Sequence, residues 1–129
     1  MTSEGTGRRR IVVFVCAHGA VRSRLAAALF NQLGHSGWWA WSVGLDPQSE
    51  LGETARRLLE GSDAKAFLDT GPPHALDASS SADAVIAIDC RLAGSELWRL
   101  ERADFGQPMV EELRRRVVEL ARRLTGSPL

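Results

Sequence analysis

Residues 12–23 read Val-Val-Phe-Val-Cys-Ala-His-Gly-Ala-Val-Arg-Ser. The first four residues form an unbroken apolar run, which is typical of a strand buried on both faces of a sheet. The segment Leu25-Ala-Ala-Ala-Leu-Phe30 follows the serine and is a strong helix former. The seven residues from Cys16 to Arg22 are therefore predicted to form a turn that leads from a strand into a helix.

Such a turn is suited to holding a tetrahedral anion next to a thiolate. Its backbone N–H groups point at one spot, and the helix N-terminus adds a partial positive charge. The same environment favours the nucleophilic thiolate form of Cys16, and Arg22 is a planar cation that can hold two anion oxygens. Ser23 can donate a hydrogen bond to the sulfur, and Gly19 is free to adopt a positive φ.

A cysteine at the end of a buried strand is often only a small apolar residue. Here it lies at the carboxyl end of the first strand of an α/β pattern, where such folds bind their ligands. We therefore predict that Cys16 and Arg22 are catalytic. The predicted binding site for a phosphate, arsenate or sulfate group consists of Ala17, His18, Gly19, Ala20, Val21, Arg22 and Ser23.

The segment from Ile11 to Leu33 resembles the loop and first helix of the low-molecular-weight protein tyrosine phosphatases. The thioredoxin-coupled arsenate reductases share that fold. The family loop typically reads V-C-x-G-N-x-x-R-S and leads into a helix of small residues. Trp41-Ser-Val-Gly44 looks like the second strand of the family, and the similarity returns at residues 82–90.

Two loop residues depart from the family pattern. His18 occupies the usual glycine position, and Gly19 occupies the position of an asparagine that fixes the loop by hydrogen bonding in the family. Glycine can adopt the same backbone conformation but does not hold it in place. A looser loop is therefore expected.

The resemblance also implies an aspartate that protonates the leaving group, in an Asp-Pro-aromatic-Gly motif before the last helix. This chain reads Ala103-Asp104-Phe105-Gly106 there, so Ala103 occupies the aspartate position when Phe-Gly is aligned. We take Asp104 as the catalytic general acid and Glu101 as the alternative. Loss of this acid would restrict hydrolysis to substrates with good leaving groups.

Cys90 supports a rival interpretation. It ends the predicted strand from Ala84 to Asp89, which is expected to lie beside the first strand. In some arsenate reductases a cysteine after this strand attacks the first cysteine once arsenate has bound. Those proteins carry a further cysteine a few residues on, whereas residues 91–96 here contain none. An arsenate reductase of this sequence would thus have Cys90 as its single resolving cysteine, or would rely on a small external thiol. The other interpretation is that Cys90 is a free thiol without a redox role. In the phosphatase interpretation, Asp89 resembles a structural aspartate of the family.

The order of elements predicts a single flavodoxin-like α/β domain with a four-stranded parallel sheet flanked by helices. It spans residues 11–126 after a disordered tail at residues 1–10. The predicted strands are 11–16, 38–43 and 84–89. Helices are predicted at residues 23–34, 49–60 and 91–98, and a short one within residues 61–82. A terminal helix begins at Pro108. Its apolar stripe consists of Met109, Leu113, Val117, Leu120 and Leu124.

Composition sets the remaining expectations. The chain has 129 residues, with 16 Lys+Arg balanced by 16 Asp+Glu, so no nucleic-acid partner is expected. The apolar run after the N-terminal arginines is too short for a signal peptide or a membrane span, which predicts a cytoplasmic protein. No histidine forms a metal-ligand spacing with a cysteine, so neither a metal nor another cofactor is expected.

These observations predict a cysteine-dependent phosphomonoester hydrolase that acts through a phosphocysteine. Its substrate would be a phosphorylated protein or a small phosphomonoester, and its oligomeric state is left open. The first alternative is a thiol-dependent arsenate reductase that uses Cys16 with Cys90 or a small thiol. The second alternative is a non-catalytic oxyanion-binding or phosphocarrier module, against which Arg22 counts.

Overall fold

The computed structural model describes residues 9–34, 37–46, 52–75, 82–102 and 104–126. The elements in chain order are β1 (Arg10–Cys16), α1 (Arg22–Gln32), β2 (Trp38–Gly44), α2 (Gly52–Leu58), a 3₁₀ helix (Asp63–Phe67), β3 (Ala84–Ile88), β4 (Glu96–Trp98) and α3 (Gln107–Thr125). Most of the predicted N-terminal tail, residues 1–8, lies outside the described residues, as do the predicted start of the second helix at Ser49 and Ala103.

The four strands form one sheet in the order β2-β1-β3-β4, and all three neighbouring pairs are parallel. This confirms the predicted α/β class and the four-stranded parallel sheet. Residues 12–15 of β1 are at most 1% exposed because β1 is paired on both sides and covered on both faces. The carboxyl end of β1, where Cys16 lies, is therefore at the centre of the sheet edge.

The core has two parts, one on each face of the sheet. On the larger side, Val12 and Phe14 of β1 pack with residues of β3, α1 and α3. On the other side, Val13, Val15 and Val43 form a smaller cluster against which Cys90 packs. Successive residues of β1 thus face opposite sides, as the pleat of a strand requires.

The prediction of a helix over residues 91–98 is wrong. Residues 96–98 form β4, which pairs in parallel with β3 through Ile86–Glu96, Ala87–Leu97 and Ile88–Trp98. A strand of three residues is too short to display an alternating pattern, so the sequence does not distinguish it from a helical turn. The fourth strand of the predicted sheet is therefore at this position.

The terminal helix α3 has the predicted apolar stripe. Met109, Leu113, Val117 and Leu120 are at most 1% exposed, and Leu124 packs at the edge of the same core. Pro108 lies in its first turn, and Gly126 ends it with a φ of +67°. Within the described residues, no helix is long and apolar enough to cross a membrane.

Candidate functional site

The turn between β1 and α1 is pressed against the end of β2. Gly19 has a φ of +69°, and a Cβ there would lie 2.7 Å from the backbone nitrogen of Gly44. A Cβ on Gly44 would lie 2.5 Å from the carbonyl carbon of His18. Only glycine fits at these two positions, because the two backbones are in direct contact.

Further backbone hydrogen bonds join this turn to the segment after β2. The N–H of Leu45 donates to the carbonyl of Cys16 at 3.1 Å, and the N–H of Asp46 donates to Ala17 at 2.8 Å. The His18 ring nitrogen Nδ1 lies 3.2 Å from the carbonyl oxygen of Asp46. The imidazole is thus held at the edge of the turn, next to the loop after β2.

Cys16 and Ser23 form a buried pair at the base of the turn. The Sγ and Oγ atoms lie 3.1 Å apart, and the residues are 4% and 0% exposed. Ser23 is in the first turn of α1, so its hydroxyl lies close to the helix N-terminus. A hydroxyl that donates to a thiolate at this point stabilises the negative charge on sulfur.

Arg22 lies between a carboxylate and an aromatic ring. Its Nε is 3.6 Å from Oδ2 of Asp89, and its guanidinium carbon is 4.9 Å from the centre of the Phe105 ring. Asp89 directly follows β3 and has a φ of +51°, and its Oδ1 accepts a 3.0 Å hydrogen bond from the N–H of Leu100. The carboxylate is therefore fixed in place and orients the arginine at the mouth of the turn.

Asp104 lies in the loop that covers Arg22. Its neighbour Phe105 makes the ring contact with Arg22, and the aspartate itself is exposed. The loop is anchored by Glu112 of α3, whose Oε2 and Oε1 accept hydrogen bonds from the N–H groups of Glu101 at 3.0 Å and Arg102 at 2.8 Å. The structure thus places the loop of the predicted acid against Arg22, at the start of α1.

Cys90 is a free thiol at the end of β3, the strand next to β1. Its Sγ lies 3.5 Å from the carbonyl oxygen of Val15, the residue before Cys16. Burial raises the pKa of the Cys90 thiol, and the negative charge of Cys16 raises it further. Cys90 thus lies just beyond the end of β3, the strand next to the one that ends at Cys16.

Arg24 is a site residue that the sequence reasoning missed. It is 4% exposed, and its Nε donates a 3.1 Å hydrogen bond to the carbonyl of Gly19. Its two terminal nitrogens donate to the carbonyl oxygens of Asp69, at 2.7 Å, and of Gly71. An arginine next to an apolar helical run is most simply taken as solvent-exposed, so only the placement of the loop after the 3₁₀ helix reveals its role.

The segment that Arg24 holds also contacts the end of β2. Burial opposes ionisation of Asp69, but hydrogen bonds from the Gly71 N–H and from His74, with the charge of Arg24, hold its pKa below the usual range. Nε2 of His74 lies 2.7 Å from Asp69 Oδ2, and the His74 carbonyl accepts from the Gly44 N–H at 2.9 Å. Gly19 is thus held through its carbonyl oxygen by Arg24 and by close contact with Gly44.

The described part of the chain contains no group of three histidine, cysteine or acidic side chains that would hold a metal ion. The donors at the site are a thiol, a hydroxyl, a guanidinium and backbone N–H groups. This set is suited to binding an oxyanion and to nucleophilic attack by sulfur.

No family model matches the sequence, and no curated protein matches it significantly. Among solved structures, the chain is similar to the thioredoxin-dependent arsenate reductase of Corynebacterium glutamicum, with 28% identity and a TM-score of 0.73 over 97% of this chain and 67% of that one. An arsenate reductase from Archaeoglobus fulgidus has 25% identity and a TM-score of 0.64 over 84% of this chain and 97% of that one.

The low-molecular-weight protein tyrosine phosphatase from T. tengcongensis shares the fold. It has 18% identity and a TM-score of 0.64 over 88% of this chain and 99% of that one. The resemblance carried by the cysteine loop is confirmed by these neighbours. This chain therefore has the fold of the cysteine-based superfamily that contains the arsenate reductases and the low-molecular-weight protein tyrosine phosphatases.

Proposed function

We propose that the protein is a phosphomonoester hydrolase with Cys16 as its nucleophile. The observation that carries the proposal is the buried Cys16–Ser23 pair, 3.1 Å apart, at the start of α1. This pair lies beside Arg22, which Asp89 orients from the neighbouring strand end. A thiol, a hydroxyl and a forked cation meet here at a helix N-terminus, where a dianionic phosphate is stabilised.

In the first step the Cys16 thiolate attacks phosphorus, and the bond from phosphorus to the ester oxygen breaks. Asp104 in its acid form gives its proton to the departing oxygen. Arg22 and the N–H groups of the turn stabilise the charge on the equatorial oxygens, an electrostatic contribution of about 3–4 kcal/mol for a single donor. The product of this step is a phosphocysteine and an alcohol or phenol.

In the second step water attacks the phosphocysteine. Asp104, now a carboxylate, takes a proton from that water, and the sulfur–phosphorus bond breaks to release inorganic phosphate. The Ser23 hydroxyl donates to the departing sulfur, which makes Cys16 a better leaving group. The enzyme returns to its starting state without a cofactor.

The test is hydrolysis of p-nitrophenyl phosphate by the reduced protein and three variants. Cys16→Ser is expected to abolish turnover, and Cys90→Ser is the matched cysteine control that keeps it. Asp104→Asn is expected to lower kcat with an aliphatic phosphate more than with p-nitrophenyl phosphate, because the p-nitrophenolate leaving group departs without being protonated. Absence of hydrolysis by the reduced wild-type protein contradicts the proposal.

The second candidate function is arsenate reduction, and the position of Cys90 favours it. The thiol lies 3.5 Å from the carbonyl of Val15, next to Cys16. Two similar solved structures, with 28% and 25% identity, are arsenate reductases. In this reaction Cys16 displaces hydroxide from arsenate to form a sulfur–arsenic(V) bond. Cys90 then attacks the Cys16 sulfur, which forms a disulfide and releases arsenite with two electrons from the two thiols. An external thiol must then reduce that disulfide.

A matched experiment separates the two functions. Arsenate is added to the reduced protein without external thiol, and the loss of free thiols and the release of arsenite are measured. Reduction predicts that two thiols are lost per arsenite and that Cys90→Ser releases none without an added small thiol. Hydrolysis of p-nitrophenyl phosphate by Cys90→Ser at the wild-type rate, with no arsenite from the wild-type protein, favours the phosphatase.

A further inference from the structure

A groove runs beside Cys90 on the face of the sheet away from α3. Two overlapping cavities, of about 360 and 280 Å³, share Cys90, Arg91, Leu97 and Arg99 among their lining residues. Asp89 lines the second cavity as well. We refer to the space between these five residues as the Cys90 groove.

The strand geometry explains why Arg99 is in this groove. Successive residues of β4 and its extension alternate between the two faces of the sheet. Trp98 is buried in the larger core on the α3 side. Leu97, which is 44% exposed, and Arg99 line the groove on the opposite side.

Neither of the two arginines in the groove forms an ion pair with a described carboxylate. Some exposed arginines elsewhere pair with glutamates, as Arg123 does with Glu96 at 2.9 Å. Arg91 and Arg99 are exposed, and neither guanidinium makes an ion pair or hydrogen bond with another described residue. Two like charges that line one cavity repel each other, and an anion between them removes that cost.

The carboxylate in the groove is already engaged. Asp89 accepts a hydrogen bond from the Leu100 N–H and lies 3.6 Å from Nε of Arg22. It is therefore oriented towards the turn rather than available to Arg91 and Arg99. The same contact places one end of the groove next to the residue that is proposed to bind the reacting phosphate.

We propose that the Cys90 groove binds a second anionic group of the substrate, which is a small phosphomonoester that carries a further phosphate or carboxylate. The inference rests on the proposed function, because Arg22 is taken to bind the reacting phosphate. Arg91 and Arg99 then bind the additional phosphate or carboxylate, which favours phosphomonoesters that carry such a group over those that do not. Cavities of about 300 Å³ are at the small end of ligand pockets, which favours a small molecule over a protein surface.

The test measures binding rather than turnover, so that it does not depend on catalysis. Isothermal titration calorimetry compares linear alkylphosphonates with α,ω-alkane bisphosphonates of matched and increasing chain length. An ω-carboxyalkylphosphonate series distinguishes a carboxylate from a phosphate as the second group. The variants are Arg91→Gln, Arg99→Gln and the double variant, with Arg57→Gln on α2 as the matched control, since Arg57 is also exposed and unpaired within the described residues.

At one chain length, a doubly anionic compound is expected to bind at least about tenfold more tightly than the monophosphonate. The double variant is expected to lose that advantage, while its affinity for the monophosphonate is unchanged and its melting temperature does not fall. Arg57→Gln is expected to behave like the wild-type protein.

Equal binding of singly and doubly anionic compounds at every chain length overturns the proposal. Tighter binding of an acidic phosphopeptide than of any bisphosphonate overturns its choice of a small molecule. If the protein prefers bisphosphonates but hydrolyses no phosphomonoester, anion binding in the Cys90 groove is supported and the proposed hydrolase activity is contradicted.

Discussion

Arg24 is a buried cation whose guanidinium is satisfied by three carbonyl oxygens. It joins Gly19 of the oxyanion turn to Asp69 and Gly71, on a segment far away in the chain. The family asparagine, whose absence at Gly19 predicts a looser turn, is not the only group that can hold this residue. Arg24 holds the same residue from its carbonyl side.

Arg24→Met keeps the length of the side chain but removes all of these donors. We expect the variant to be less stable by about 2–4 kcal/mol and to bind inorganic phosphate more weakly, because Gly19 is released. Arg24→Lys keeps the positive charge but lacks the planar guanidinium, so we expect losses of stability and phosphate affinity between those of Arg24→Met and the wild-type protein. Calorimetric titration with phosphate, at a temperature where thermal denaturation shows each variant to be folded, checks this. Undiminished phosphate affinity in folded Arg24→Met would contradict the role.

Cys90 provides a second prediction at the level of one residue. Its pKa is raised by burial and by the negative charge of Cys16, so the thiol is neutral near pH 7. Cys16→Ser removes the neighbouring ionisable sulfur, and the rate of Cys90 alkylation by iodoacetamide is expected to rise at lower pH than in the wild-type protein. Mass spectrometry of the Cys90 peptide follows that reaction separately from Cys16. An unchanged pH profile would show that the two thiols do not interact.

At the scale of elements, helix α3 anchors the loop that carries the proposed acid. The buried carboxylate of Glu112 accepts from two consecutive backbone N–H groups, those of Glu101 and Arg102, and from Nε of Arg116 at 3.1 Å. Phe105, a few residues on, rests on Arg22. The position of Asp104 is therefore set by α3 as well as by its own loop.

Glu112→Gln tests this anchor through the pH dependence of stability. Burial opposes ionisation of Glu112, but its three hydrogen bonds hold its pKa below the ordinary value of about 4.3. The ionised Glu112 thus contributes fully to the free energy of unfolding at pH values above its ordinary pKa, which applies to the unfolded chain. This contribution is lost as the pH falls through the lowered pKa of Glu112 in the folded protein. The stability difference between wild type and Glu112→Gln is expected to shrink over that acidic range. Urea denaturation at a series of pH values measures it, and a difference independent of pH would contradict the account.

At the scale of the whole molecule, the sequence predicts best where one element is continuous and apolar. The run from Val12 to Val15 and the alanine-rich segment after Ser23 predict β1, the turn and α1, because each has a clear periodicity and the turn lies between them. The sequence predicts a helix where strand β4 lies, because three residues carry no period of their own. The strand is defined only by its pairing with β3.

The supporting contacts of the site depend on tertiary structure. The turn meets Gly44 and Arg24, and Arg22 meets Asp89 and Phe105, all of which are brought together only when the sheet forms. A residue pattern along the chain indicates which chemistry is carried by a loop. It does not indicate which distant backbone carbonyl or carboxylate will hold that loop in place.

The covalent step at Cys16 is tested most directly by trapping the intermediate. The reduced protein is mixed with p-nitrophenyl phosphate, quenched in acid within the first turnovers, and analysed by peptide mass spectrometry. We predict that the peptide with Cys16 gains the mass of one phosphoryl group, and that Cys16→Ser shows no turnover. Continued turnover by Cys16→Ser, or a wild-type protein that turns over with its phosphoryl group on another residue, would contradict the assignment of Cys16 as the nucleophile.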